Sequence, residues 1–230
     1  MIDWHNHILP CVDDGSKSDY ESIRMLEMHA LQGVDTVVAT PHFYANDESS
    51  ERFFERRQNA YDNLKKQLHS GLPKMVLGAE VRYYNGISRM AELKDFRIEG
   101  SKLLLLEMPS AVWTEYMIRE LIELSSESSL KIMLAHSERY LGIQNKEVYG
   151  RLLENDILMQ VNADFFASFS TKRRALSMLN DGKIHFIGSD SHNTISRPPN
   201  IGKAFDVIRK KMGDDFLNQM NEYGNSVLNQ

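Results

Sequence analysis

The sequence predicts a parallel α/β fold of the (β/α) barrel kind. Three observations carry that prediction. Short apolar runs alternate with segments of helical spacing from end to end. Histidines and carboxylates recur where the apolar runs stop. No repeat, low-complexity linker or shift in composition divides the 230 residues, so residues 1–230 read as one domain.

Seven apolar runs read as strands: Met1–Trp4, Asp35–Thr40, Met75–Ala79, Lys102–Leu106, Leu130–Ala135, Ile157–Val161 and Lys183–Gly188. Between the first two, Ser18-Asp19-Tyr20-Glu21 reads as a capping box. It opens a helix with Ile23, Leu26 and Ala30 on one face and Gly33 as its stop. A longer, charged helix is expected over Glu51–Leu68. Helices follow over Trp113–Ser126, Lys146–Asn155 and Thr171–Leu179, and Ile201–Met212 opens the last helical region. Gly71-Leu72-Pro73 and Arg197-Pro198-Pro199 read as loops.

Composition excludes several classes. Apolar residues at 42% and charged residues at 26% are those of a globular protein. With 27 basic against 32 acidic residues the net charge is −5, which gives the whole chain no pull toward nucleic acid. Arg52, Arg56, Arg57, Lys65 and Lys66 form a local cluster; it reads first as a solvated helix face and second as a dock for an acidic phosphopeptide. Cys11 is the only cysteine, so no internal disulfide can form and a reducing compartment is expected. The chain lacks a basic, then apolar, leader and any run of the ~20 apolar residues that a membrane span needs. No membrane insertion and a cytoplasmic location are expected.

The chemistry collects at the strand ends. The first strand runs into His5 and His7, and the second into His42. The third runs into Glu80, the fourth into Glu107, the fifth into His136 and the seventh into Asp190 and His192. The sixth runs into Asn162 and Asp164, candidates for supporting these groups. In a barrel those ends share one face, so the residues converge. His5 and His7, one residue apart, project to the same side of a strand. Taken singly, each has a bland alternative: a loop histidine, a glutamate paired with an arginine, an aspartate capping a helix. Five of the eight histidines lie at strand ends, however, and the bland readings would all have to hold at once. His29, His69 and His185 are read as structural. Histidine with carboxylate and no thiolate suits Mn²⁺, Fe or Zn²⁺. Eight ligands are too many for one ion, so two or three ions are expected, with Glu80 as the best bridge.

The motifs His5-x-His7, Asp13-Asp14-Gly15, Thr40-Pro41-His42, Gly78-Ala79-Glu80, Glu107-Met108-Pro109, Ala135-His136-Ser137-Glu138-Arg139 and Gly188-Ser189-Asp190-Ser191-His192 resemble the PHP (polymerase and histidinol phosphatase) superfamily. Within it, His-Asn-His-Ile-Leu-Pro-x-x-Asp-Asp-Gly at the start is similar to the protein-tyrosine phosphatases of bacterial capsule and exopolysaccharide operons, the CpsB/YwqE type. The resemblance implies a distorted seven-stranded (β/α)7 TIM-like barrel, the PHP fold, with three metal ions, usually Mn²⁺. It implies one ion on His5, His7, Glu80 and Asp190, a second on Glu80, Glu107 and His136, and a third on Asp14, His42 and His192. Arg139 and Arg197 match phosphate-binding arginines. The implied partner is an autophosphorylating bacterial tyrosine kinase that controls polysaccharide synthesis. Two departures stand out: Ser137 where the family commonly has Pro, which would loosen the loop carrying Arg139, and Asn162-Ala163-Asp164-Phe165-Phe166 where a small, Gly-containing run is usual.

A cysteine-based phosphatase is excluded, because it needs an arginine six residues after the cysteine. Lys17 stands there, with two acids between; Cys11 is therefore read as a small packing residue. No Gly-x-Ser-x-Gly elbow is present. The expected mechanism is attack on phosphorus by metal-bound hydroxide, with Arg139 and Arg197 neutralising the equatorial oxygens and His42 or Asp14 as possible proton donors. Three rivals remain: a histidinol-phosphate phosphatase, a PHP nuclease, and a PHP fold kept as an inactive binding module. The acidic net charge weighs against the second, and the full set of ligands against the third.

Overall fold

The computed structural model of this chain describes residues 1–127 and 129–229. The strands are β1 (Ile2–Asn6), β2 (Thr36–Ala39), β3 (His42–Phe43), β4 (Lys74–Leu77), β5 (Glu80–Arg82), β6 (Leu103–Glu107), β7 (Lys131–Leu134), β8 (Leu158–Asn162) and β9 (Phe186–Gly188). The helices are α1 (Asp19–Leu31), α2 (Ser50–Lys65), α3 (Glu115–Ser126), α4 (Lys146–Glu154), α5 (Asp164–Ala167), α6 (Lys172–Asn180), α7 (Ile201–Met212) and α8 (Asp214–Val227). All strand pairs are parallel, in the orders β1-β2-β4 and β3-β5-β6-β7-β8-β9. The α/β class and the parallel sheet agree with the sequence.

The strands are more finely divided than the seven runs. Nine segments stand among the described residues where seven runs were expected. The two extra segments, β3 and β5, lie just past the second and third runs, set off from β2 and β4 by Thr40-Pro41, where Pro41 brings no amide hydrogen, and by Gly78-Ala79. Backbone bonds from Gly78 N to Ala39 O (2.8 Å) and from Glu80 N to Pro41 O (3.0 Å) carry the ladder across both breaks. The sheet curls until its far edges meet. There His7 N donates to Ser191 O (2.9 Å) and Asp190 N to His5 O (2.7 Å).

Two apolar layers follow from the period of two along each strand. Val37, Leu77, Leu104, Ile132, Met159 and Ile187 pack outward against helix residues such as Leu26, Leu121 and Leu152. Trp4, Val38, Val76, Leu105, Met133 and Phe186 fill the inside of the curl, with Val227 of α8 below them. Gly224 of α8 admits this closure, since a Cβ there would lie 3.0 Å from Ile2 and Trp4. One step further along the same inward faces come Glu80, Glu107, Gln160 and Asp190. The apolar layer is thus the floor on which the polar residues stand.

Other details refine the sequence reading. Ser18 Oγ accepts from Glu21 N (3.2 Å), but the Glu21 carboxylate accepts from Lys17 N (2.9 Å), so only half of the capping box forms. The helix expected over Glu51–Leu68 is Ser50–Lys65. The last helical region breaks into α7 and α8 at Gly213, whose φ of +91° suits glycine. Asp164–Ala167 forms a helix that puts Phe165 and Phe166 in the core, while Asp164 lines the cavity beside Arg139 and Arg197, so this departure touches both packing and the pocket rim. Arg57 leaves the expected basic face: it is buried and donates to Gly78 O (2.7 Å). Cys11 corrects another expectation. It is exposed, with φ +57°, because the loop turns sharply there, so it is not a packing residue. His29 is structural, bonded to Asp3 Oδ2 (2.7 Å) and Met25 O (2.8 Å), and so is His185, which accepts from Met159 N (2.9 Å).

Gly188 lies where β9 passes β1, and a Cβ there would sit 2.5 Å from His5 Cβ and 2.9 Å from His5 N. Gly188→Ala is expected to cost about 1–3 kcal/mol and lower the melting temperature by about 3–10 °C; an unchanged melting curve would mean that the two strands part without strain. Glu120 is buried and accepts from Tyr83 Oη (2.6 Å), Ser88 Oγ (2.8 Å) and the amides of Ser88 and Gly86 (3.2 Å each). Burial opposes its ionisation, but these donors, Tyr83 foremost, hold its pKa below the usual 4.5. A depressed carboxylate pKa stabilises the fold above 4.5 and loses that contribution as the pH falls through the folded value. Glu120→Gln should therefore cost about 1–3 kcal/mol at pH 7, with the gap from wild type closing below pH 4.5 in chemical denaturation. A gap independent of pH would rule out this role.

Candidate metal centre

Strand ends and the loops after them deliver every residue that the sequence singled out. His5 comes from β1, which is irregular between Asp3 and Asn6, and His7 from just beyond it. His42 opens β3, Glu80 opens β5 and Glu107 ends β6. His136 and Asp190 lie past β7 and β9 in left-handed conformations (φ +32° and +52°), costly for non-glycine residues and common at functional sites. His5, His7, Glu80, Glu107, His136, Asp190 and His192 are buried, His42 is partly so, and the Asp14 side chain is 66% exposed at the mouth.

Three groups of donor atoms gather, each with all its members within 4.8 Å of one another: His5, His7 and Asp190; His42, Glu80 and Glu107; and His7, Asp14, His42 and His192. The groups overlap at His7 and His42, whereas the resemblance places the overlap at Glu80 alone. Glu80 nonetheless stands at the centre. Its Oε2 lies 3.1 Å from His5 Nε2, 3.4 Å from His7 Nε2 and 3.0 Å from His42 Nδ1, and its Oε1 lies 2.9 Å from His136 Nε2. His136 Nε2 is also 3.5 Å from Glu107 Oε1. Asp14 Oδ1 lies 3.4 Å from His192 Nε2 and 3.6 Å from His42 Nε2.

A surrounding network sets the orientation of these groups. Gln160 Oε1 accepts from His136 N (2.7 Å) and pairs with His5 Nδ1 (3.1 Å); Gln160 Nε2 donates to Asn162 Oδ1 (3.2 Å), and Asn162 Nδ2 donates to Asp190 Oδ2 (2.9 Å). Asp13 accepts from His7 Nδ1 (2.7 Å), Gly15 N (2.8 Å) and His42 N (2.9 Å). The Nε2 atoms of His5 and His7 face each other at 3.2 Å, and both lie within 3.4 Å of Glu80 Oε2. Such an arrangement asks for a cation between them. Buried atoms without a hydrogen-bond partner, among them His42 Nδ1, Glu80 Oε2 and His192 Nε2, are aimed into the same space. The residues present therefore fit divalent metal.

The electrostatics agree. Burial opposes protonation of His5 and His7, but Glu80 and Asp190 beside His5, and Asp13 beside His7, outweigh it and raise both pKa values. Burial also opposes ionisation of Glu80 and Asp190, yet the imidazoles, His5 foremost, hold both well below the usual carboxylate range. Burial, then His7 and Arg197, push His192 down to about 4, so it is a neutral donor at pH 7. The site keeps its acids charged and welcomes positive charge.

Both arginines meet at Asp190. Arg139 Nη2 lies 2.5 Å from Oδ2 and Arg197 Nη2 lies 2.8 Å from Oδ1, each guanidinium partly exposed. Arg139 has not turned to Glu138. The turn carrying Arg197 is preformed, since Asn193 Oδ1 accepts from the amides of Ile195, Ser196 and Arg197 (2.7–3.1 Å). A small polar cavity of about 140 Å³ opens between the two arginines, with Asn162, Asp164 and Asp190 in its wall. Ser137, where Pro was usual, is buried and accepts from Tyr149 Oη (2.9 Å), which anchors the loop despite the change. Sequence reading missed Asp13, Gln160 and Arg82, which pairs with Glu107 at 2.6 Å. Gln160 was within reach: it is two residues before Asn162 on β8 and so faces the same way.

The family model for capsular polysaccharide synthesis proteins, CpsB/CapC, matches residues 1–228. The chain belongs to the CpsB/CapC family. Among its relatives is the tyrosine-protein phosphatase CpsB of Streptococcus pneumoniae, 34% identical over 93% of this chain and 91% of that protein. The tyrosine-protein phosphatase YwqE of Bacillus subtilis is 29% identical over 99% of this chain and 91% of that protein. A solved chain from work on YwqE and CpsB, described there as metal-dependent tyrosine phosphatases, superimposes with a TM-score of 0.84 at 26% identity. That match covers 100% of this chain and 95% of the other.

Within this CpsB/CapC site, Asp13 is the residue that fixes both His7 and the loop amide of His42. Asp13→Asn is expected to weaken divalent-metal binding by about 10–100-fold without unfolding the protein. Titration calorimetry checks this, and wild-type affinity in the variant would remove Asp13 from the site.

Proposed function

We propose that the chain is a metal-dependent protein-tyrosine phosphatase, most active with Mn²⁺. On this reading it is a cytoplasmic protein of one domain, and its nine strand segments trace seven strand paths of a distorted (β/α)7 barrel. Its substrate is a phosphotyrosine-bearing bacterial tyrosine kinase of capsular or exopolysaccharide synthesis. The observation that carries the reading is the convergence of eight clustered donors, with His136 beside Glu80, and two partly exposed guanidinium groups at one mouth. Kinship with CpsB and YwqE, both named tyrosine-protein phosphatases, supplies the substrate class. Among the described residues no helix is long and apolar enough to cross a membrane, in keeping with action on a soluble segment of the partner.

His5, His7, Glu80 and Asp190 would hold one ion, Glu80, Glu107 and His136 a second, and Asp14, His42 and His192 a third. Divalent ions held there would supply Lewis acidity and lower the pKa of water. The chain's own residues do the rest. Arg139 and Arg197 grip the phosphoryl oxygens, which suits the planar fork of arginine. Their pairing with Asp190 keeps them parked beside the phosphate's destination. Gln160, Asn162 and Asp13 fix the orientation of His5, Asp190 and His7, so little reorganisation accompanies reaction. The leaving tyrosinate needs little protonation, so His42 and the exposed Asp14, both at the mouth, are left to hold the third ion.

Phosphate release from a phosphotyrosine peptide and from histidinol phosphate, by metal-stripped protein with and without Mn²⁺, tests the proposal. Mn²⁺-dependent turnover of the peptide is expected, with Arg139→Ala and Arg197→Ala each lowering kcat/KM by about 10²-fold. Preference for histidinol phosphate, or unchanged turnover in both variants, would overturn it.

A further inference from the structure

Away from the metal centre, α4 and α6 leave a groove between them of about 350 Å³. Leu141, Leu153 and Met178 give it an apolar lining, and Lys146, Arg174 and Lys183 stand on its walls, with no carboxylate among the lining residues. Lys183 pairs with Asp181 at 3.2 Å, whereas Lys146 and Arg174 make no ion pair among the described residues. The other side of α4 is already committed to α3, through Arg151 and Glu115 (2.7 and 2.9 Å).

The charges at the start of α6 run against local helix physics. Lys146 is the first residue of α4, where Glu147 and the Asn145 cap offset it, but Lys172, Arg173 and Arg174 fill the first turn of α6, which has neither an acidic residue nor a side-chain cap. The start of a helix is its positive end, where cations are unfavourable and anions favourable. A conflict of this kind marks a place where function has overridden stability.

The groove also adjoins the catalytic loop. Leu141 follows Arg139 by two residues, and Tyr149, in the groove wall, donates to Ser137 O between His136 and Arg139. The loop that feeds α6 leaves Phe169 wholly exposed. At 350 Å³ the groove lies at the low end for a small-molecule pocket. It fits one large side chain with charged backing, the form of an anchor site for a polypeptide.

We propose that this groove docks the substrate chain itself: it takes an acidic stretch of the phosphoprotein beside its phosphotyrosine and seats one apolar or aromatic side chain on the groove floor. The proposal rests on the phosphatase reading above. Charge complementarity selects the occupant, because an unpartnered pair of cations over an apolar floor matches an acidic segment with one apolar residue and repels a basic one.

The test compares wild type with Arg174→Glu and Lys146→Glu on two substrates. One is a phosphotyrosine peptide flanked by acidic residues and a leucine; the other is p-nitrophenyl phosphate, too small to reach the groove. Both substitutions put an acid at a helix start and so favour the fold, which separates lost docking from unfolding. Each is expected to raise KM for the peptide by about tenfold, with kcat and both constants for p-nitrophenyl phosphate unchanged, while Arg174→Lys keeps the wild-type KM. Unchanged peptide KM in both variants would overturn the docking site. Equal losses on both substrates would also overturn it, as would altered p-nitrophenyl phosphate turnover alone, the mark of a small effector in the groove. Wild-type hydrolysis of p-nitrophenyl phosphate without any of the peptide would instead overturn the tyrosine phosphatase reading.

Discussion

Several titratable side chains crowd into one buried space, and that crowding constrains everything around them. His5, His7, Glu80 and Asp190 are almost wholly removed from water, with His136 and His192 beside them. Removing charges from water costs several kcal/mol per ion unless partners compensate. Here the compensation is partly internal, through carboxylate–imidazole contacts of 2.9–3.4 Å, and partly from Arg139 and Arg197. What the chain leaves without hydrogen-bond partners are buried atoms of His42, Glu80 and His192, beside the facing Nε2 atoms of His5 and His7. That remainder is the chemical definition of a cation site.

The fold exists to hold that crowd. An apolar floor of Trp4, Leu105, Met133 and Phe186 closes the inside of the curl, and the same alternation sets Glu107, Gln160 and Asp190 above it. Gly188 allows β9 to approach His5 closely, and the backbone bonds between the ends of β1 and β9 bring His7 and Asp190 to the same spot. A residue at the floor can therefore influence the centre through strand position, without touching any donor.

Much of this was legible in the sequence, for a physical reason. Donors at the ends of parallel strands must share a face, so the apolar runs alone located His42, Glu80, Glu107, His136 and Asp190. The division into nine segments was not legible, because β3 and β5 lie past the ends of the apolar runs, at His42 and Glu80 themselves. Of the supporting residues, Asn162 was legible as a strand-end group, but Asp13 and Gln160 were not. Asp13 sits beside an equally acidic Asp14, and only the fold turns one inward to His7 and leaves the other at the mouth. Arg57 read as part of a basic surface because α2 is polar on most sides; its burial depends on an acceptor, Gly78 O, that only the broken third run exposes.

The central claim is that these nine side chains form one multi-ion centre bridged by Glu80. The most direct measurement is the number of Mn²⁺ ions bound per chain, by elemental analysis after equilibrium dialysis, for the wild type and Glu80→Gln. The account predicts two or three ions in the wild type and the loss of at least one in the variant, with the fold intact by circular dichroism. A single ion in both proteins, or none, would contradict it.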